Sequence, residues 1–225
     1  MNTAILTGVS SGIGAATARR LLDDGWHVIG ISRRDPAIEH RNFDRLAVDL
    51  NDFGQLREKL DQVSAVDAVI HAAGLQRSAA LGELNVDDGL AMWRVHVAAA
   101  EVLVNALAAD IRDGGRVVLV GSRTMTGNGG KSQYAATKSA LAGMARSWAA
   151  ELVHRRITVN VVAPGPTDTP MLNDPARRGT PPKLPPMGRF VRADEVAGLI
   201  GFLLEPHAAS ITGQVIVQCA GVSLP

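Results

Sequence analysis

The sequence contains a single tyrosine, Tyr134, and Lys138 lies four residues after it in "SQYAATKSA". Positions four apart share one face of a helix, so a helix over 132–153 would project phenol and ammonium together. An ammonium beside a phenol stabilises the phenolate and draws its pKa from near 10 toward working pH, which makes a group able to pass a proton. A lone Tyr-x-x-x-Lys means little, because average composition produces one at roughly the 5% level. Its company gives it weight. The apolar run "GGRVVLVGS" delivers Ser122 twelve residues before Tyr134, and the connection "RTMTGNGGKSQ" is flexible enough to bring hydroxyl and phenol together.

A second constellation lies near the N-terminus. "TGVSSGIG" (7–14) follows an apolar run and opens an amphipathic stretch at Gly12. A strand, a turn whose backbone can approach a ligand closely, and the free N–H groups of a helix start form a phosphate cradle. Gly8 would allow the sharp turn, Gly12 would leave room for a pyrophosphate, and Gly14 would let the helix sit close to the sheet; Ser10, Ser11 and Ile13 complete the turn. The spacing is G-x-x-x-G-x-G, not the commoner G-x-G-x-x-G. About 20 residues further on, dinucleotide folds select their cofactor with an acid at the end of the second strand. Here "GISRRDP" offers Ser32 and Arg33, a hydroxyl and a guanidinium suited to a 2′-phosphate. This predicts a preference for NADP(H), with NAD(H) as the alternative. Asp35, the candidate ribose ligand for NAD, lies beyond the strand and is held extended by Pro36.

These residues need a scaffold. Short apolar runs alternate with longer amphipathic stretches, a pattern that predicts β-α-β units around a parallel sheet. The strands are expected at 3–8, 27–32, 45–50, 67–74, 116–122, 157–165 and 214–218. Helices are expected at 12–23, 52–62, 87–110, 132–153 and 192–204. The prediction is an α/β fold: one Rossmann-like, doubly wound parallel sheet of about seven strands, spanning 1–225 as a single domain. Residues 164–190, "PGPTDTPMLNDPARRGTPPKLPPMGRF", carry too much proline for a long helix. Such a stretch reads either as a surface excursion or as a flap over a ligand at the carboxyl ends of the strands.

Composition narrows the partners. With 23 basic and 22 acidic residues, net +1, the chain has no global field to draw it onto nucleic acid or an anionic membrane. The apolar runs, such as "AGLIGFLL", read as too short for a membrane span, and the N-terminus lacks a secretory pattern. The sole cysteine, Cys219, fits a reducing compartment. The expectation is a cytoplasmic protein that acts on small molecules and binds no metal.

The motifs in order resemble the short-chain dehydrogenase/reductase family over nearly the whole chain. "TGVSSGIG" is similar to its cofactor turn, "VDL" with Asp49 and Leu50 to its adenine pocket, and "VGS" with "YAATK" to its Ser-Tyr-Lys site. "VNVVAPGPTDT" is similar to its nicotinamide-side loop, which assigns Pro164, Gly165, Thr167 and Thr169 to the cofactor. The stretch "GNGGKSQYAATKSAL" is similar to 3-oxoacyl-carrier-protein reductases. The resemblance implies hydride transfer between NADP(H) and a carbonyl or secondary alcohol. Ser122 would bind the substrate oxygen, Tyr134 would act as general acid or base, and Lys138 would hold the nicotinamide ribose. It also implies a homodimer or homotetramer.

Two departures matter. The family's Asn-Asn-Ala-Gly is "HAAG" here, which keeps Ala73 and Gly74 beside the cofactor and puts His71 at the first position. His96 replaces the asparagine that anchors a proton-relay water. Imidazole can bind water and titrates near neutrality, so His96 is expected either in the catalytic set, with an altered pH profile, or merely packed in the core with the relay absent. The alternative is a catalytically weak or inactive dinucleotide sensor or scaffold.

Overall fold

The computed structural model describes residues 1–174 and 180–224. Seven strands form one parallel sheet: β1 (Thr3–Thr7), β2 (His27–Ile31), β3 (Phe43–Leu46), β4 (Val66–His71), β5 (Ile111–Val120), β6 (Thr158–Pro164) and β9 (Val215–Gln218). Their spatial order is β3-β2-β1-β4-β5-β6-β9. Most are apolar throughout because helices cover both faces. On one face α2 (Phe53–Leu60), α4 (Ala99–Leu107) and α5 (Ser132–Leu152) bury Leu56, Leu60, Leu103, Leu107 and Leu141. On the other, α1 (Gly12–Asp23) and α6 (Ala193–Leu204) bury Leu21, Leu22, Val196, Ile200 and Leu203. The chain reverses direction across the sheet between β1 and β4, and the crevice at that switch point is where such sheets bind ligands.

The sequence expectations differ from the structure at element ends. The third strand, expected at 45–50, is paired only over Phe43–Leu46, because β2 ends at Ile31 opposite Leu46. The fifth, expected at 116–122, begins at Ile111, which pairs with Val66 ahead of a bulge. The helix expected at 87–110 comprises α3 (Val86–Trp93), a wide π-type turn at Arg94–Ala98, and α4. Together they form a helix over Val86–Leu107 that is long and apolar enough, by length and composition, to cross a membrane. The helix is interrupted by Asp87, Asp88, Arg94 and Glu101, so no single apolar run in it is long. Ala99, Leu103 and Leu107 are fully buried, so the apolar face of this helix is taken up by the sheet.

The proline-rich 164–190 segment is tied off at its base. β7 (Thr167–Asp168) and β8 (Val191–Arg192) pair in parallel as a separate two-residue ladder. Residues 175–179 of that segment lie outside the described residues.

Candidate active site

A cleft of about 1590 Å³ opens over the carboxyl ends of β1, β4, β5 and β6. The glycine turn forms its floor. Gly8 has φ +81°, and a Cβ there would lie 2.8 Å from the Ala73 amide nitrogen. A Cβ on Gly14 would meet the Gly8 carbonyl oxygen at 2.3 Å, so helix α1 can seat itself only because both are glycines. No side chain caps the start of α1. Its first amides therefore have no side-chain acceptor, and Ser10, Ser11, Gly12 and Ile13 around them line the cleft.

Tyr134, Lys138, Leu141 and Ala145 are all buried on one face of α5. The apolar members pack on the sheet, and the first turn carries the polar pair into the cleft. Lys138 is fully buried, and its Nζ donates to the Val120 carbonyl at 2.7 Å. That bond ties α5 to the end of β5, one residue before Gly121 and Ser122. Burial pulls the Lys138 ammonium down to about 7. Ser122 accepts the Thr124 amide on its Oγ at 3.1 Å, which leaves its hydroxyl proton for another acceptor. Ser122, Tyr134 and Lys138 all line the one cleft.

The other expected residues fall into place around them. Ser32, Arg33, Asp49 and Leu50 line the cleft, as do Ala73, Gly74, Pro164, Gly165, Thr167 and Thr169. Arg33 lies 3.6 Å from Asp49. The Asp49 carboxyl is held below its usual value, mainly by the Asn51 amide and with help from Arg33. The Ser32 hydroxyl donates to the Arg34 carbonyl at 2.7 Å, so it must turn to donate to a phosphate. Asp35 does not line the cleft and instead accepts the Ala37 amide. Gly14 lies behind the wall as a packing residue. Sequence reasoning missed Arg34, Arg77, Arg123 and Lys183, all of which line the cleft from loops that carry no periodic signal.

The two histidines are structural. His71 Nε2 faces the Val95 carbonyl at 3.0 Å, so it donates, and Nδ1 accepts from the Thr7 hydroxyl at 3.0 Å. That hydroxyl also accepts the amides of Ala72 and Ala73, which fixes the loop beneath the cofactor cleft. His96 lies in the π-type turn, fully buried. Its Nε2 accepts the Leu75 amide at 3.1 Å, so Nδ1 carries the proton and donates to Thr137 Oγ1 at 2.9 Å. Thr137 in turn donates to the Tyr134 carbonyl, and the His96 ring meets the Tyr134 ring edge-on with centroids 5.6 Å apart. Burial, with the Lys138 charge adding to it, holds the His96 imidazole well below its ordinary value. Of the two expectations for His96, the structure favours the packed one over the water anchor that titrates near neutrality. Both ring nitrogens are engaged within the protein, and His96 positions Tyr134 from behind.

Residues 8–223 match the family model described as enoyl-(acyl carrier protein) reductase. The chain is 32% identical to the 3-oxoacyl-(acyl-carrier-protein) reductase FabG of Escherichia coli over 229 residues, covering 95% of this chain and 93% of that protein. It belongs to the short-chain dehydrogenase/reductase family. That makes it an NAD(P)-dependent oxidoreductase by family, and the fold agrees with solved members. A short-chain dehydrogenase from Burkholderia cenocepacia in complex with NADP superposes with a TM-score of 0.86 at 32% identity, covering 98% of this chain and 97% of that one. A blue fluorescent protein from a metagenomic library, in complex with NADPH, gives 0.87 at 30% identity, covering 99% and 98%.

Proposed function

We propose that the protein reduces a carbonyl to a secondary alcohol with NADPH, and runs the reverse reaction with NADP⁺. The observation that carries this reading is the convergence of Ser122, Tyr134 and a buried Lys138 on the cleft whose floor is the Gly8–Gly14 turn. The residues present fit a dinucleotide. The floor is a cradle that any Cβ would fill, uncapped amides stand at the start of α1, and Arg33 and Arg34 flank the far end. NADP-bound relatives of similar fold support the phosphorylated cofactor. When bound, the cofactor supplies the hydride.

The chain's own residues do the remainder. Gly8, Gly12 and the α1 amides hold the pyrophosphate, and Arg33 with Arg34 neutralises the 2′-phosphate. Lys138 holds the nicotinamide ribose and places a positive charge beside the phenol. Ser122 donates a hydrogen bond to the substrate oxygen, which gains negative charge as the carbonyl π bond breaks. Tyr134 delivers its proton to that oxygen and is reprotonated from solvent. In the oxidation direction Tyr134 takes the proton. Thr167 and Thr169, held over the cleft by the β7–β8 ladder, contact the nicotinamide side. The described parts of the proline-rich segment, which line the cleft through Pro170, Met171, Thr180 and Leu184, would border the substrate.

The same reading places the protein in the cytoplasm as a homodimer or homotetramer. Its interface would be the groove between the Val86–Leu107 helix and α5, lined by Trp93, Val97, Met144 and Trp148. A panel of ketones, aldehydes and acyl thioesters, assayed for NADPH consumption, tests the reading. Turnover of at least one class is expected. Tight NADPH binding with no consumption by any carbonyl would convert the site into a sensor.

A further inference from the structure

The charge around the cleft is far from balanced, although the chain as a whole is nearly neutral. Arg33, Arg34, Arg77, Arg123, Lys131, Lys138 and Lys183 line it, against two carboxylates, Asp49 and Asp174. The proposed cofactor accounts for Arg33, Arg34 and Lys138. Asp49 pairs with Arg33, and Asp174 lies 3.9 Å from Arg77. Arg77 also lies 3.6 Å from Asp88, so the surplus of positive charge with no carboxylate in ion-pair distance among the described residues is Arg123 and Lys183.

Arg123 is the residue within that surplus closest to the chemistry. It directly follows Ser122, so the two α-carbons are only ~3.8 Å apart. One guanidinium nitrogen, Nη2, donates to the Val222 carbonyl at 3.3 Å, which ties the side chain to the C-terminal turn lining the cleft. Its Nε is buried with no acceptor, and among the described residues no carboxylate lies within ion-pair distance of it. That Nε is sealed inside the protein, whereas Nη1 makes no hydrogen bond among the described residues and is left for an anion in the cleft that Arg123 lines. A guanidinium fork matches the two oxygens of a carboxylate.

We infer that the substrate is an oxo acid whose carboxylate Arg123 binds while Ser122 binds the carbonyl oxygen a few bonds away. This rests on the carbonyl-reductase reading and sharpens it to one substrate class. Product is the corresponding hydroxy acid, formed by one hydride from NADPH and one proton through Tyr134.

The test compares kcat/KM with NADPH for oxo acids of increasing chain length and for their neutral amides, in the wild type, Arg123→Gln and Arg123→Lys. The wild type should prefer acid over matching amide by roughly 100-fold or more. Arg123→Gln should erase that preference, mainly through KM, and Arg123→Lys should retain part of it. Equal rates on acid and amide in the wild type, or a preference that survives Arg123→Gln, would overturn the inference. Acyl thioesters of coenzyme A and of N-acetylcysteamine form a second arm. A preference that follows the phosphates of coenzyme A and ignores a carboxylate would also overturn it. Calorimetric binding of a saturated acid and its amide to the cofactor-loaded protein reads the same preference without turnover. A protein that reduces no carbonyl but still selects the acid would therefore refute the reductase reading while upholding carboxylate binding.

Discussion

Nδ1 of His71 lies 3.0 Å from Oγ1 of Thr7, and that one hydroxyl also gathers the amides of Ala72 and Ala73. The ring is consequently locked neutral, and burial holds it at about 3 against an ordinary 6.5. His96, equally buried, is pushed in the same direction. Unfolded, both would bind protons as pH drops through their ordinary range, whereas the native rings do not. Their contribution to stability is therefore full above about pH 6.5 and declines below it, by up to about 1.4 kcal/mol per pH unit for each ring. Denaturant unfolding at pH 7.5 and 5.5 should show this loss. His71→Gln should reduce the pH difference while lowering stability at pH 7.5. Equal stability of the wild type at both pH values would contradict the assignment.

Lys138 gives a second pH signature. In the free protein burial brings its ammonium to about 7. A bound polyanionic cofactor favours the charged form and raises that value, so binding takes up a proton above pH 7. NADPH affinity should weaken as pH rises from 7 toward 9, by up to about tenfold per unit. Fluorescence titration across that range checks it. Lys138→Met should bind more weakly at pH 7 and lose the slope. A flat wild-type profile would show that the lysine is not linked to the cofactor.

Arg33 and Asp49, 3.6 Å apart, are the pair on which the proposed cofactor preference rests. Arg33 is largely solvent-exposed and free to swing from the carboxylate to a 2′-phosphate, a contact that NADH cannot offer. Arg33→Ala should weaken NADPH by roughly 10- to 100-fold, in line with a charge-assisted hydrogen bond, and leave NADH nearly unchanged. Comparing the two dissociation constants decides the matter. Equal losses would overturn the NADP(H) preference.

The fold was readable because its strongest signals are local. Apolar strands, the glycine turn opening α1 at Gly12, and Tyr134 with Lys138 on one helix face all follow from spacing alone. What escaped depends on tertiary partners. The third strand's length is set by where β2 stops, and the start of β5 by a pairing to Val66 across the sheet. His96 looked like a titrating group because its sequence context does not reveal that Leu75, 21 residues earlier, and Thr137, 41 later, occupy both ring nitrogens. Arg123 was invisible as a ligand candidate for the same reason. Its significance comes from its place on the cleft wall and from its tie to Val222, 99 residues away.

In the proposed reaction Tyr134 hands a proton to a carbonyl held beside the cofactor. That transfer is tested most directly by Tyr134→Phe, assayed on any carbonyl that the wild type reduces, with NADPH affinity measured in parallel. The account predicts that kcat falls by about 10² to 10⁴ while NADPH affinity stays within about threefold. Turnover undiminished in the phenylalanine variant would contradict it.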